Sequence, residues 1–124
     1  MHQMIKLALL IGLTSIATPI LADETLPSVE TGPGFDCTEA KTKVEKRICD
    51  NAELSALDQK LSEVYAEAQA ETAGIDGETG ERIDPLAKEQ KIWLRTRNQC
   101  KSNACLHSTY IKRIKYIETH WLHR

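Results

Sequence analysis

The chain has 124 residues, 41% hydrophobic and 5% aromatic, with 27% charged, four cysteines and a formal net charge of −2. That length and balance describe one small domain and exclude a multi-domain enzyme or a multi-spanning membrane protein. The lack of a basic excess argues against a dedicated nucleic-acid binder.

In chain order, the first 22 residues read as a secretory signal peptide. Met1 to Lys6 carries one positive charge, Leu7 to Ala17 is apolar, and Thr18-Pro19-Ile20-Leu21-Ala22 breaks the run before Asp23-Glu24, which places cleavage after Ala22. The apolar run is shorter than the roughly 20 residues needed to span a bilayer, so an uncleaved anchor fits less well. No cysteine adjoins the cleavage site, so the sequence predicts no membrane anchor after cleavage. Residues 23–35, with Pro27, Gly32, Pro33 and Gly34, read as a flexible lead-in to a domain over 36–124.

Cys37, Cys49, Cys100 and Cys105 all fall in the mature part. An even count in a small exported domain reads as two disulfides, and the spacings lack the close pairs of a zinc site. A continuous helix would hold Cys37 and Cys49 roughly 18 Å apart, whereas a disulfide needs Cα atoms within about 7 Å. Thr42-Lys43-Val44-Glu45 has the form of a capping box, so a fresh helix starting there would let the two cysteines meet. Of three possible connectivities, local pairing of Cys37 with Cys49 and of Cys100 with Cys105 is expected.

After a cap near Asp50–Glu53, the apolar positions Leu54, Leu57, Leu61, Val64, Tyr65 and Ala68 predict a long amphipathic helix over about 52–72. Gly74, Gly77 and Gly80 interrupt the pattern in an acidic loop, 72–84, and no stretch alternates as a strand would. Asp84 then caps a helix of about 85–99 with Pro85 at its first position, presenting Leu86, Gln90, Trp93 and Arg97 on one side. A last helix begins near Asn103 and carries Leu106, Tyr110, Ile114, Ile117 and Trp121. The expected fold is all-α: a small four-helix, mainly antiparallel bundle with two disulfides.

Charge is divided along the mature chain: residues 23–85 hold 16 acidic and 6 basic side chains, and residues 86–124 hold 2 and 9. Acidic and basic helices that pack together would explain this, and so would an acidic face for a cationic partner. Trp93 and Arg97 lie one turn apart, which suits a guanidinium stacked on the indole or paired with an acid of the 52–72 helix.

Catalytic patterns are absent. There is no G-x-S-x-G, H-E-x-x-H or P-loop, and disulfide-bonded cysteines are not nucleophiles. His107, His120 and His123 lack a neighbouring carboxylate or cysteine at ligand spacing, so neither a metal nor another cofactor is expected and the chain reads as a non-enzyme. Arg95, Arg97, Lys101, Lys112, Arg113 and Lys115 are suited to phosphates, but export and net acidity argue against nucleic acid as a partner.

The residues Phe35-Asp36-Cys37, Ala40, Glu45, Ile48-Cys49, Glu53-Leu54, Leu57-Asp58, Tyr65, Glu89-Gln90, Trp93-Leu94, Arg97-Asn98, Cys100, Cys105-Leu106, Tyr110 and Arg113-Ile114 occur in order over 35–117. In this pattern the chain resembles the LprI-type lysozyme inhibitor domain. The resemblance implies a helical, disulfide-bonded, exported bacterial domain, periplasmic or secreted, that inhibits lysozyme. The chain departs from the lipoprotein after which the family is named in lacking a lipid-attachment cysteine.

The resulting expectation is a protein that binds and blocks a cationic lysozyme or another cell-wall hydrolase. An envelope stress or assembly factor, or an immunity protein with a different protein partner, is the alternative. The loop 72–84 is the candidate partner-binding element, with Asp76, Glu78 and Glu81 around Arg82. A plain connector is the competing reading of that loop, and Glu53, Glu63, Glu67 and Glu71 form a second acidic face. Trp93, Arg97 and Tyr110 are expected to be structural.

Overall fold

The computed structural model describes residues 32–124; the expected signal peptide, and the expected lead-in up to residue 31, lie outside the described residues. The chain enters through a 3-10 turn, Cys37–Glu39, capped by Asp36, and then starts helix α1, Lys43–Cys49. The capping box is complete: the Glu45 amide donates to Thr42 Oγ1 at 3.0 Å and the Thr42 amide donates to Glu45 Oε2 at 2.9 Å. This break between two short elements brings the Cα atoms of Cys37 and Cys49 to 5.9 Å, and the disulfide forms. Cys100 and Cys105 form the second bridge, so the pairing is local.

Helix α2, Ala52–Thr72, begins at Asn51, whose side chain accepts from the Leu54 amide. Helix α3, Pro85–Arg97, is capped by Asp84, which accepts from Ala87; it stops two residues short of the expected end, where the chain tightens into successive three-residue turns. Helix α4, Asn103–His120, starts at Ser102, whose hydroxyl accepts from the Cys105 amide.

The apolar stripes meet in one core. Ile48, Leu54, Leu61, Val64, Leu86, Leu106, Tyr110 and Ile117 are at most 2% exposed. Each aliphatic side chain so buried contributes about 1.5–3 kcal/mol. Trp93, expected on the core stripe, is only partly buried and packs on the edge of this cluster.

Side-chain pairs fix the helix directions. Glu53 meets His107, Asp58 meets Tyr110 and Glu67 meets Arg124, so α2 and α4 run parallel. Arg97 meets Tyr110 while Glu89 meets Tyr116 and Trp121, so α3 is antiparallel to α4. The result is an up-down-up arrangement of three long helices with the two-turn α1 laid on α2. Consecutive long helices are antiparallel as expected, but the α2–α4 interface, the most extensive, is parallel.

The segment 72–84 corrects the strand-free reading. Gly74–Ile75 (β1) pairs antiparallel with Arg82–Ile83 (β2), Gly74 opposite Ile83 and Ile75 opposite Arg82. Two residues per strand are too few for a period of two to register in a sequence.

Candidate functional site

The acidic segment is an ordered hairpin on the bundle. At its turn the Gly80 amide donates to the Asp76 carbonyl at 2.9 Å and the Asp76 amide donates to the Glu81 carbonyl at 2.8 Å. Asp76 Oδ1 accepts from the amides of both Glu78 and Thr79 at 2.8 Å. These amides, Thr79 foremost, hold the Asp76 carboxyl below its ordinary pKa. Gly80 closes the turn at φ 71°, a left-handed conformation that side chains with a Cβ adopt at a cost.

Glu78 and Glu81 are exposed, and among the described residues neither has a cation within 4.0 Å. Arg82 turns instead to Asp84 at 3.4 Å. Asp84 also accepts from Gln69 Nε2 at 2.6 Å, which ties the end of α2 to the start of α3 below the hairpin. Ile75 is 68% exposed and Ile83 47%, so the hairpin offers apolar side chains among carboxylates.

Trp93, Arg97 and Tyr110 come together around a residue absent from the expected site, Asp58. Tyr110 donates to Asp58 Oδ1 at 2.6 Å, Arg97 Nη1 lies 3.7 Å from the same oxygen, and the Gly34 amide donates to Oδ2 at 2.8 Å. One buried carboxylate therefore holds the entering chain, α3 and α4 to α2. Burial first, and then the Asp58 charge, raise the Tyr110 pKa well above its ordinary value, so the phenol remains a donor.

Arg97 also lies 5.9 Å from the Trp93 ring centre, and Trp93 meets Tyr110 edge-on at 5.3 Å. The two roles envisaged for Arg97, stacking on the indole and pairing with α2, are thus both filled. The sequence signal for Asp58 was available: a carboxylate standing in the apolar stripe between Leu54 and Leu61.

The remaining candidates are dispersed. His107 Nε2 contacts Glu53 at 3.0 Å at one end of α4, while His120 stacks on Tyr116 at 4.2 Å near the other. Among the described residues no three metal-ligating side chains cluster. On the acidic face of α2, Glu67 is held by Arg124 through two contacts of 2.7 and 3.0 Å, which leaves Glu63 and Glu71 without a cation at that range among the described residues.

Sequence reasoning placed Glu89 and Arg113 in the family pattern, and Arg113 among residues suited to phosphates, but did not pair them with each other. Glu89 Oε2 accepts from Arg113 Nη1 at 3.4 Å and from Trp121 Nε1 at 3.3 Å, while its Oε1 accepts from Tyr116 at 3.3 Å. The arrangement thus gives a cross-linked bundle with two internal acid-base ties, and an exposed acidic hairpin at the α2–α3 junction.

The family described as "Lysozyme inhibitor LprI" matches residues 36–117, which contain all four cysteines, Asp58 with Trp93, Arg97 and Tyr110, and the hairpin. Proteins named "Lipoprotein LprI" from Mycobacterium bovis (strain ATCC BAA-935 / AF2122/97) and Mycobacterium tuberculosis (strain ATCC 25618 / H37Rv) are 28% identical over 97 residues, covering 75% of this chain and 44% of theirs. The chain thus spans less than half the length of these curated relatives. No solved structure matches it. With the match covering most of the helical domain, the chain belongs to the LprI lysozyme inhibitor family.

Proposed function

We propose that the chain is exported and, outside the cytoplasm, binds a lysozyme or related peptidoglycan hydrolase and blocks it through the hairpin 74–83. The observation that carries this reading is the hairpin itself: exposed carboxylates of Glu78 and Glu81 beside exposed Ile75 and Ile83, held by an internally bonded turn. Family membership supports the target class. Two disulfides, and the absence among the described residues of a helix long and apolar enough to cross a membrane, agree with a domain working in an oxidising compartment.

The mechanism is steric and electrostatic. Unpaired carboxylates on the hairpin raise the rate of encounter with a cationic enzyme, and the isoleucines supply area that loses water when the hairpin enters a cleft. The turn is already ordered, so less conformational entropy is lost on docking than with a free loop. The test is a titration of the purified chain into lysozymes of several types during peptidoglycan lysis. Dose-dependent inhibition of at least one is the expected result, and unchanged lysis by all of them at micromolar excess rejects the reading.

A further inference from the structure

Helices α3 and α4 leave a groove of about 580 Å³, with Ile92, Trp93 and Tyr116 among its lining residues. Ile92 is 62% exposed there. One exposed cation, Lys112, lines the groove. Lys88 and Arg95 lie one helical turn from Ile92 on α3, and Lys115 one turn from Lys112 on α4; all are exposed, and no carboxylate of the described residues lies within 4.0 Å of any of the four.

Arg113 adds a charge from below. Its side chain is 7% exposed, and one long contact of 3.4 Å to Glu89 is its ion pair. Among the described residues, its Nη2 is the buried side-chain nitrogen or oxygen without a hydrogen-bond partner. Glu89, the one carboxylate lining the groove, is occupied by Arg113, Tyr116 and Trp121. An approaching anion therefore meets Lys112, with Lys88, Arg95 and Lys115 a turn away, over an apolar, aromatic floor whose one carboxylate is already engaged.

We infer that this groove binds a short acidic peptide segment carrying one bulky apolar side chain. The apolar residue lies on Ile92, Trp93 and Tyr116, and flanking carboxylates pair with Lys112 and the α3 cations. The groove follows two helical turns on each wall, about 10 Å, which matches about three extended residues. The site lies on other elements than the hairpin and does not depend on the inhibitor reading, whose partner is cationic.

The experiment uses the full mature chain and a panel of acetylated, amidated tetrapeptides in which one leucine, isoleucine or phenylalanine is flanked by glutamates or aspartates. Lysine-flanked counterparts, phosphatidylglycerol vesicles and sedimentation of the protein alone run alongside. Saturable binding of acidic members, read by calorimetry and amide shifts on α3 and α4, is expected, weakening on the order of tenfold in Ile92→Glu and again in Lys112→Glu.

Both substitutions are at exposed positions, and unchanged circular dichroism melts verify the fold. Failure of every acidic member to bind at millimolar concentration overturns the inference. Equal binding of lysine-flanked peptides, shifts confined to other helices, or binding by the two variants equal to the parent's do so too. Vesicle binding without peptide binding assigns the groove to membranes instead, and self-association abolished by the same variants assigns it to a second copy; either rejects the acidic-peptide site.

Discussion

Asp58 carries more of the fold than any other single polar group. Replacing it with alanine leaves the Arg97 guanidinium without its carboxylate and the Tyr110 hydroxyl and Gly34 amide without their acceptor. Breaking a buried pair from one side costs about 3–5 kcal/mol, so Asp58→Ala is expected to lose that much in urea denaturation. Tyr110→Phe removes one donor to Asp58 and one acceptor of Arg97 but leaves Asp58 its other two neighbours, for a loss of about 1–2 kcal/mol. Equal losses for the two variants would show that Arg97 does not depend on Asp58. Gly34 belongs to the same unit, because a Cβ there would collide with Ser62 Oγ, so Gly34→Ala must displace the entering chain. Acid acts at the residue scale too. Backbone amides of Thr42 and Lys41 lower the Glu45 pKa, and Thr38 lowers that of Asp36. A carboxyl whose folded pKa is depressed stabilises the protein above its unfolded value and loses that contribution as pH falls through the folded one. Melting temperature should therefore fall below about pH 4, near the unfolded carboxyl values, and the fall should be shallower in Glu45→Gln, which keeps an acceptor but no longer titrates.

The hairpin separates holding from presenting. Asp76 spends its carboxylate on the turn, whereas Glu78 and Glu81 face solvent, so neutralising them should have different consequences. Asp76→Ala is expected to raise hydrogen exchange at the Glu78 and Thr79 amides. Glu78→Gln with Glu81→Gln should leave exchange unchanged while slowing association with a basic hydrolase and flattening its salt dependence. Equal association rates for parent and double variant at low salt would remove the hairpin as the steering element and pass that role to Glu63 and Glu71 on α2. At this scale the sequence was legible wherever a side chain announces backbone geometry. Thr42 with Glu45, Asp84 with Pro85, and the stripe from Leu54 to Ala68 place the elements within a residue or two. The hairpin was not legible, because two-residue strands carry no periodicity and their bonds depend on Asp76 and Gly80. The gathering of Trp93, Arg97 and Tyr110 on Asp58 needs the relative placement of three helices, which spacing along one helix does not contain.

For the whole molecule, the sequence division of charge becomes a division of labour. Arg97 and Arg124 on the basic side bind Asp58 and Glu67 on the acidic side, one pair buried and one exposed, while among the described residues Glu78, Glu81 and Lys112 of the α3–α4 groove have no partner of opposite charge within 4.0 Å. The disulfides complete this arrangement locally: neither joins the acidic half to the basic half, so the long-range contacts rest on packing and on the Asp58 cluster. The bridges should therefore differ in what they protect. Cys37–Cys49 fastens the 3-10 turn to α1, and α1 is held to α2 independently by fully buried Ile48 and by the Ser55 hydroxyl donating to the Ile48 carbonyl at 2.7 Å. Replacing both cysteines of that bridge with alanine is expected to cost about 3 kcal/mol by loop-closure entropy, and replacing Cys100 and Cys105 about 2, because the loop is shorter. Unfolding in urea should remain a single transition in each variant, followed in parallel by tryptophan fluorescence and helical circular dichroism. A separate early transition in the Cys37→Ala, Cys49→Ala variant would mean that Ile48 and Ser55 do not hold α1, and that the bridge alone keeps this helix on the bundle.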